Sequence, residues 1–289
     1  MNYNVITIEK KKKKNRNYGI TLMHFFLLLF GFMWVYPFLW MLAASFKTQS
    51  EFFTKGLSLI PSWPLNFSNL IRAWDQAKFY QYFLNTVIIT VSVVVVVLIV
   101  TAMAGFVVGR YSFKGKKLVM GLLVASMFIP LGFTIIPIFE LIKTVGLLNT
   151  RLGIILAEAG SGNVIFIMLF AAFFKQIPNE LEEAALIDGC GFMRNFAQIM
   201  LPLSKPIISS VIIMQFIWTW NSFFLPLVLS LSNVGLRTLA VGLYVLKGEY
   251  VVDWTGIAAG GSIALIPIIV IFLFLQRYFV EGIAGAVKS

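Results

Sequence analysis

From Tyr18 to Phe46 the chain runs without a single Asp, Glu, Lys or Arg. An α-helix rises about 1.5 Å per residue and a bilayer's hydrocarbon core is about 30 Å thick, so a run of that length spans a membrane as a helix. Five more apolar runs follow: Tyr82–Val108, Leu118–Phe139, Gly153–Phe174, Ile207–Leu229 and Thr255–Leu275. Only 12% of the 289 residues are charged, against about 25% in an ordinary soluble domain. In lipid each backbone N–H and C=O needs a partner within the chain, which leaves helices or a closed barrel. The β-branched run Val93–Val97, alone a buried strand, therefore reads as helix inside the second run. The expected fold class is an all-α membrane protein with six transmembrane helices.

Six crossings put both termini on one side. With the N-terminus inside, fifteen of the 23 Lys and Arg fall on the inner side and eight outside, so the positive-inside rule predicts cytoplasmic N- and C-termini. The first run is too long for a signal-peptide core of about 7–15 residues; Leu42-Ala43-Ala44 only loosely resembles a cleavage site, and an uncleaved anchor is expected. Residues 1–17 form a basic, loosely ordered cytoplasmic tail, 18–277 the six-helix domain, and 278–289 a second tail. Lys10–Lys14 and Arg16 read as a retention signal able to touch anionic headgroups. The dispersal of basic residues over the inter-helix segments argues against a nucleic-acid partner despite the net charge of +11.

Asn179–Pro202 is the long polar interruption of the second half, within a cytoplasmic loop covering 175–206. Asn179 is placed to cap a helix and Glu182 to complete a capping box. Two turns from Leu181 to Asp188 would then stop at Gly189. Glu180, Glu182 and Glu183 suit the positive end of the macrodipole, and Ala184 and Ala185 offer a small side. So short and polar a helix is not stable alone, and docking into a partner explains it best.

Few chemistries remain. Gly115-Lys116-Lys117 lacks the upstream glycine and the hydroxyl of a phosphate loop, so ATP binding by that route is not expected. One histidine, His24, and one cysteine, Cys190, leave no disulfide, no metal cluster and no Ser-His-Asp or Cys-His site. No cofactor, metal or catalytic residue is expected in this chain. Glu158 is the one acid well inside an apolar run; it either lines a pathway or couples an ion, or it pairs locally near the interface. Thr219, Trp220, Asn221 and Ser222 make the fifth run polar at its centre, where they either line a cavity or hydrogen-bond across a helix interface.

Glu183-Ala184-Ala185, three residues, Gly189, nine residues, Ile199, one residue, Leu201-Pro202 matches E-A-A-x3-G-x9-I-x-L-P. That pattern belongs to the membrane subunits of binding-protein-dependent ABC importers. Tyr111–Lys117, Ile129–Pro137, Gly146–Thr150, Trp220–Leu227, Arg237–Leu243 and Gln276–Lys288 resemble one branch, the MalG-like permease subunits of carbohydrate importers, and the likeness covers residues 18–289. The resemblance implies a type I importer permease in a bacterial cell membrane. It further implies a second homologous permease, two ATPase subunits holding ATP and Mg, an extracytoplasmic solute-binding protein and a sugar substrate. Glu183, Ala184, Ala185, Asp188 and Gly189 would then belong to the coupling helix that docks on the ATPase. Gly282–Ser289 would meet the ATPase as well, and Leu231–Asp253 the binding protein. No Lys or Arg lies inside a run, which favours a neutral oligosaccharide over glycerol phosphate. The competing expectation is an ion-coupled carrier that depends on Glu158.

Overall fold

The computed structural model describes residues 3–76, 78–247 and 252–287, with side chains for 18–75, 78–130, 132–244, 246–247 and 252–276. It comprises two compact units, Met1–Ala73 with Asp253–Ser262 and Trp74–Val252 with Ile263–Ser289. All regular structure among the described residues is helical.

In the first unit, α1 (Tyr3–Ala44) is continuous. The Lys-rich start, expected as a loose tail, forms its first turns; lysine is a good helix former, and the attached span removes the cost of a new nucleus. The segment beyond α1 is built around α2 (Gln49–Thr54) and α3 (Ser68–Ile71). Thr48 caps α2 by accepting the Glu51 N–H at 3.2 Å. Buried Asn69 donates to the Ser45 and Lys47 carbonyls at 2.9 and 2.7 Å. Lys47, fully buried, donates to the Ser58 carbonyl at 2.6 Å. Asp253 accepts the Gly256 N–H at 2.9 Å at the start of α15 (Trp254–Val287) and pairs with Arg72 at 2.9 Å. The expected C-terminal tail from residue 278, which belongs to the second unit, is likewise helical through Val287, the end of α15.

In the second unit α4 (Phe79–Arg110) is the central helix, and Val93–Val97 is helical within it. Next come α5 (Lys116–Ser126) and α6 (Leu131–Thr144), separated where Pro130 lacks an amide hydrogen. After α7 (Arg151–Gly160) the chain bends by 56° at Ser161–Asn163 into α8 (Val164–Gln176). Gly162, at φ +72°, makes that break. The polar loop then forms α9 (Asn179–Ile187), α10 (Phe192–Asn195), a π-helical turn Phe196–Met200 and α11 (Leu201–Leu203). An 80° bend leads into α12 (Lys205–Trp220). A break at Asn221–Phe223 precedes α13 (Phe224–Leu229), and α14 (Leu239–Val245) follows.

Among the described residues, Tyr18–Ala44, Phe79–Arg110 and Trp254–Gln276 are each long and apolar enough to cross a membrane, and counting each bent pair as one span raises the number to at most five. The core of the second unit is one cluster that includes Val93, Val97, Phe106, Ile154, Phe166, Phe170, Phe174 and Met200. Gly105 and Gly109 let α4 meet α8 backbone to backbone. A Cβ at Gly105 would lie 2.4 Å from Phe170 Cβ, and one at Gly109 would lie 2.8 Å from the Ala171 carbonyl oxygen. Small residues at a helix crossing are how membrane helices approach closely.

Candidate functional site

The polar loop folds into the short helix expected of it, with a different beginning. Pro178 is the N-cap residue, and Asn179 is already the first helical residue with no side-chain cap. The capping box does not form because Glu182 is engaged elsewhere. Its Oε2 accepts from Arg110 Nε at 2.9 Å, while its Oε1 accepts from Tyr111 OH at 2.8 Å and from Asn195 Nδ2 at 3.1 Å. Three real donors outcompete one backbone amide, and the Arg110 bond is charge-assisted. Glu180 and Glu182 still occupy the first turn, where the helix dipole favours acids.

The far end closes as the sequence predicts. Gly189 has φ +75° and donates to the Leu186 carbonyl at 3.0 Å; Cys190 N–H donates to the Ala185 carbonyl at 2.8 Å. This pair of reversed bonds is a Schellman ending, for which glycine has no Cβ penalty.

Ala184 and Ala185 do not share a side. Ala185 is buried against its own chain, whereas Glu183, Ala184, Leu186, Ile187 and Asp188 face outward. Ile187 is 87% exposed and Leu186 62%. The outward surface of α9 is therefore an acidic start followed by an uncovered apolar end.

Aromatic rings seat the loop. Phe106 of α4 lies with its ring centroid 5.4 Å from those of Tyr111, Phe192 and Phe196, and 5.5 Å from that of Phe174. Arg110 adds bonds from Nη1 to the Ile177 and Phe174 carbonyls at 2.8 and 3.2 Å, supplying a donor at the end of α8, where carbonyls run out of helical partners; the Phe174 carbonyl also accepts the Ile177 N–H at 3.2 Å. Burial, reinforced by the Glu182 carboxylate, pushes the Tyr111 hydroxyl up to about 12. Tyr111 thus remains a proton donor at neutral pH. Phe106, Arg110, Tyr111, Glu182 and Asn195 were not among the sequence candidates. In the sequence Tyr111 stands out only as the start of the stretch Tyr111–Lys117, and Glu182 only as a capping-box acid at the helix start; nothing there pairs either with Arg110.

The second group of candidates divides. Glu158, 8% exposed in the last turn of α7, accepts from Ser222 Oγ at 2.5 Å, so two of the five are brought together. Thr219 is buried and accepts from Gln215 Nε2 at 2.9 Å within its own helix. Trp220 is buried, stacks on Phe216 and donates from Nε1 to the Ala264 carbonyl at 3.0 Å, a bond across a helix interface. Asn221 is exposed and turned back onto the Ile217 carbonyl at 2.8 Å. The polar centre of the fifth run straddles a helix end: Thr219 and Trp220 close α12, and Asn221 and Ser222 lie in the break after it. Among the described residues no group of three or more His, Cys, Asp or Glu is placed to hold a metal. The side chains of Gly282–Ser289 and residues 248–251 of the last outer loop lie outside the described residues.

Residues 101–285 match the model of the binding-protein-dependent transport system inner membrane component. The diacetylchitobiose uptake system permease protein NgcG of Streptomyces coelicolor is 33% identical over 92% of this chain and 86% of its own length. The arabinooligosaccharides transport system permease protein AraQ of Halalkalibacterium halodurans is 34% identical over 90% of this chain and 93% of its own. Among solved structures, a chain of a bacterial ABC transporter that imports the acidic polysaccharide alginate superposes with a TM-score of 0.72. That match covers 92% of this chain and 98% of the other, at 24% identity, and shows a shared fold.

Proposed function

From the premise that this chain belongs to the family of binding-protein-dependent transport system inner membrane components, we propose that it is one half of the pore of an ATP-driven importer for a neutral oligosaccharide. The observation that carries this reading is α9, a helix of nine residues held at both ends and presenting Glu183, Leu186 and Ile187 outward, exposed among the described residues. Held so, it is shaped to dock.

Within that reading the chain crosses the membrane six times with both termini in the cytoplasm. Crossings three, four and five are broken helices: α5 with α6, α7 with α8, and α12 with α13. Broken helices are tolerated in a bilayer where protein or a water-filled cavity covers the freed backbone groups. The cytoplasmic side carries fifteen of the 23 basic residues. A second homologous permease completes the pore, two ATPase subunits bind ATP and Mg, and an extracytoplasmic binding protein delivers solute. Glu183 meets a basic group of the ATPase, Ala184 permits close approach, and Asp188 with Gly189 shapes the end of the docking helix. Closure of the ATPases on ATP draws the two docking helices together and opens the spans outward; hydrolysis resets them inward. Solute moves the equilibrium only by binding one state better than the other.

An oligosaccharide is favoured because the two saccharide permeases above are similar over most of their length and because no Lys or Arg lies within the six apolar runs. A glycerol phosphate would call for such a cation. The test is co-purification of the chain with its ATPase, followed by uptake in the assembled transporter. Gly189→Pro, which removes the amide that bonds Leu186 and forbids φ +75°, is expected to abolish uptake without altering solute affinity of the binding protein. Uptake that survives Gly189→Pro would sink the docking role of α9.

A further inference from the structure

Two faces of α9 have different neighbours. The outward face carries Glu183 and Ile187, and the inward face carries Glu182 and Ala185. Among the described residues, Arg110–Glu182 is the sole salt bridge made by α9. Both side chains are largely withdrawn from solvent, Arg110 at 5% exposure and Glu182 at 15%. Arg110 is the last residue of α4, and its other nitrogen grips the last carbonyls of α8. One guanidinium therefore ties the ends of three helices together.

The two membrane helices behind it cannot slide apart easily. At Gly105 and Gly109 their backbones touch with no room for a Cβ, and closely packed interiors transmit displacement rather than absorb it. A push on α9 has a soft route through the turn at Ile177–Pro178 and a stiff route through Glu182. The stiff route has three donors on one carboxylate, two of them from the α4 end.

We propose that Glu182 is the positioning residue through which displacement of α9 reaches the α4–α8 pair, with Arg110 and Tyr111 as its anchors. The seating of α9 follows from this geometry alone; the delivery of motion rests on α9 being the docking helix. Glu182 is turned to its own chain and away from the outward face of α9. It acts by making the docking helix and two spans a single body.

The chain carries its own probe. Cys190 is its only cysteine, 9% exposed, and its N–H closes the Schellman ending of α9. In membranes holding the full chain, Glu182→Gln and Arg110→Met are expected to speed maleimide labelling of Cys190 about tenfold, the size of one lost charge-assisted bond. Tyr111→Phe should be intermediate, and Glu183→Gln on the outward face should leave the rate unchanged. In the assembled transporter, Glu182→Gln should lower solute imported per ATP hydrolysed severalfold. Simple loss of folded protein would lower uptake and hydrolysis together and leave that ratio alone. Unchanged Cys190 labelling in both Glu182→Gln and Arg110→Met would overturn the seating. A wild-type import-to-hydrolysis ratio in Glu182→Gln would overturn the delivery. Failure of the wild-type chain to assemble with an ATPase would overturn the docking reading and the delivery with it, while the labelling result would still decide the seating.

Discussion

Arg151 Nε donates to Asn85 Oδ1 at 3.0 Å, and the other end of the same amide holds the carbonyls of Gly235 at 2.7 Å and Arg237 at 3.1 Å. Asn85 is fully buried in α4. One side chain thus joins α4, the first turn of α7 and the loop after α13, using both donors and its acceptor. Asn85→Ala would take this partner from the half-buried Gly235 and Arg237 carbonyls, at about 1–3 kcal/mol for a buried group left unsatisfied, while the exposed Arg151 guanidinium can turn to water. The expected outcome is a loop that opens locally before the membrane helices do. Trypsin cleavage after Arg237 in intact membranes measures it: cleavage should accelerate in Asn85→Ala, while an unchanged rate would show that the neighbouring Gln81 bond to the Gly235 carbonyl at 3.1 Å suffices.

Gly105 is a position where one methyl group has nowhere to go. Its Cβ would lie 2.4 Å from Phe170 Cβ and 3.0 Å from the Ile167 carbonyl oxygen. Neither is the end of a flexible side chain, so the helices must separate. Overpacking of this kind costs about 1–3 kcal/mol. Gly105→Ala should lower the unfolding temperature of the detergent-solubilised chain. Gly121→Ala in α5, where a Cβ meets nothing within 4 Å, should not.

Much of this architecture was legible because lipid imposes a simple rule. The uncharged run at Tyr18–Phe46 and the β-branched α4 follow from length and apolarity. Gly189 was legible for a local reason, since a glycine after two helical turns marks an αL ending and its φ is +75°. The start of α9 differs from the expected Asn179 cap because the chemistry that decides it lies outside the loop. The groups that claim Glu182, Arg110 and Tyr111, lie 72 and 71 residues away in sequence. Periodicity cannot report a partner at that separation. Likewise, composition marked Trp220-Asn221-Ser222 as polar, but that Ser222 sits in a helix break and meets Glu158, 64 residues away, is a tertiary fact.

Glu51 makes the segment after α1 sensitive to acid. Burial pushes its carboxyl up, but bonds from Lys55 and Ser62, the Ser62 N–H at 2.6 Å among them, outweigh this and hold it below the ordinary carboxylate range. A depressed folded-state pKa contributes stability that is full above the unfolded value of about 4.3 and is lost as pH falls through the lower folded value. The segment should therefore keep its structure at neutral pH and loosen below about pH 4. Pepsin digestion across the acid range tests this. Nicking between Gln49 and Ser62 should rise as pH falls in the wild type, whereas Glu51→Gln, lacking the charge, should be open at every acid pH; matching profiles would remove Glu51 as the cause.

Ser222 and Glu158 separate an ATP-driven pore from an ion-coupled carrier. Glu158 sits beside one helix break and Ser222 within another, joined at 2.5 Å. In the pore reading this bond is a brace between two broken spans. Removing the hydroxyl leaves a buried carboxyl without that donor, a loss of about 1–3 kcal/mol. Glu158→Gln keeps an amide oxygen that can accept the same bond. Ser222→Ala should thus lower thermal stability, and Glu158→Gln should lower it less, with uptake in the assembled transporter within about twofold of wild type, a change of under 1 kcal/mol. A carrier that moved protons or cations through Glu158 would behave in the opposite way. Glu158→Gln would abolish uptake at unchanged stability, and uptake would follow an imposed ion gradient without ATP. Measuring uptake with ATP alone and with a gradient alone, in wild type and Glu158→Gln, decides between them.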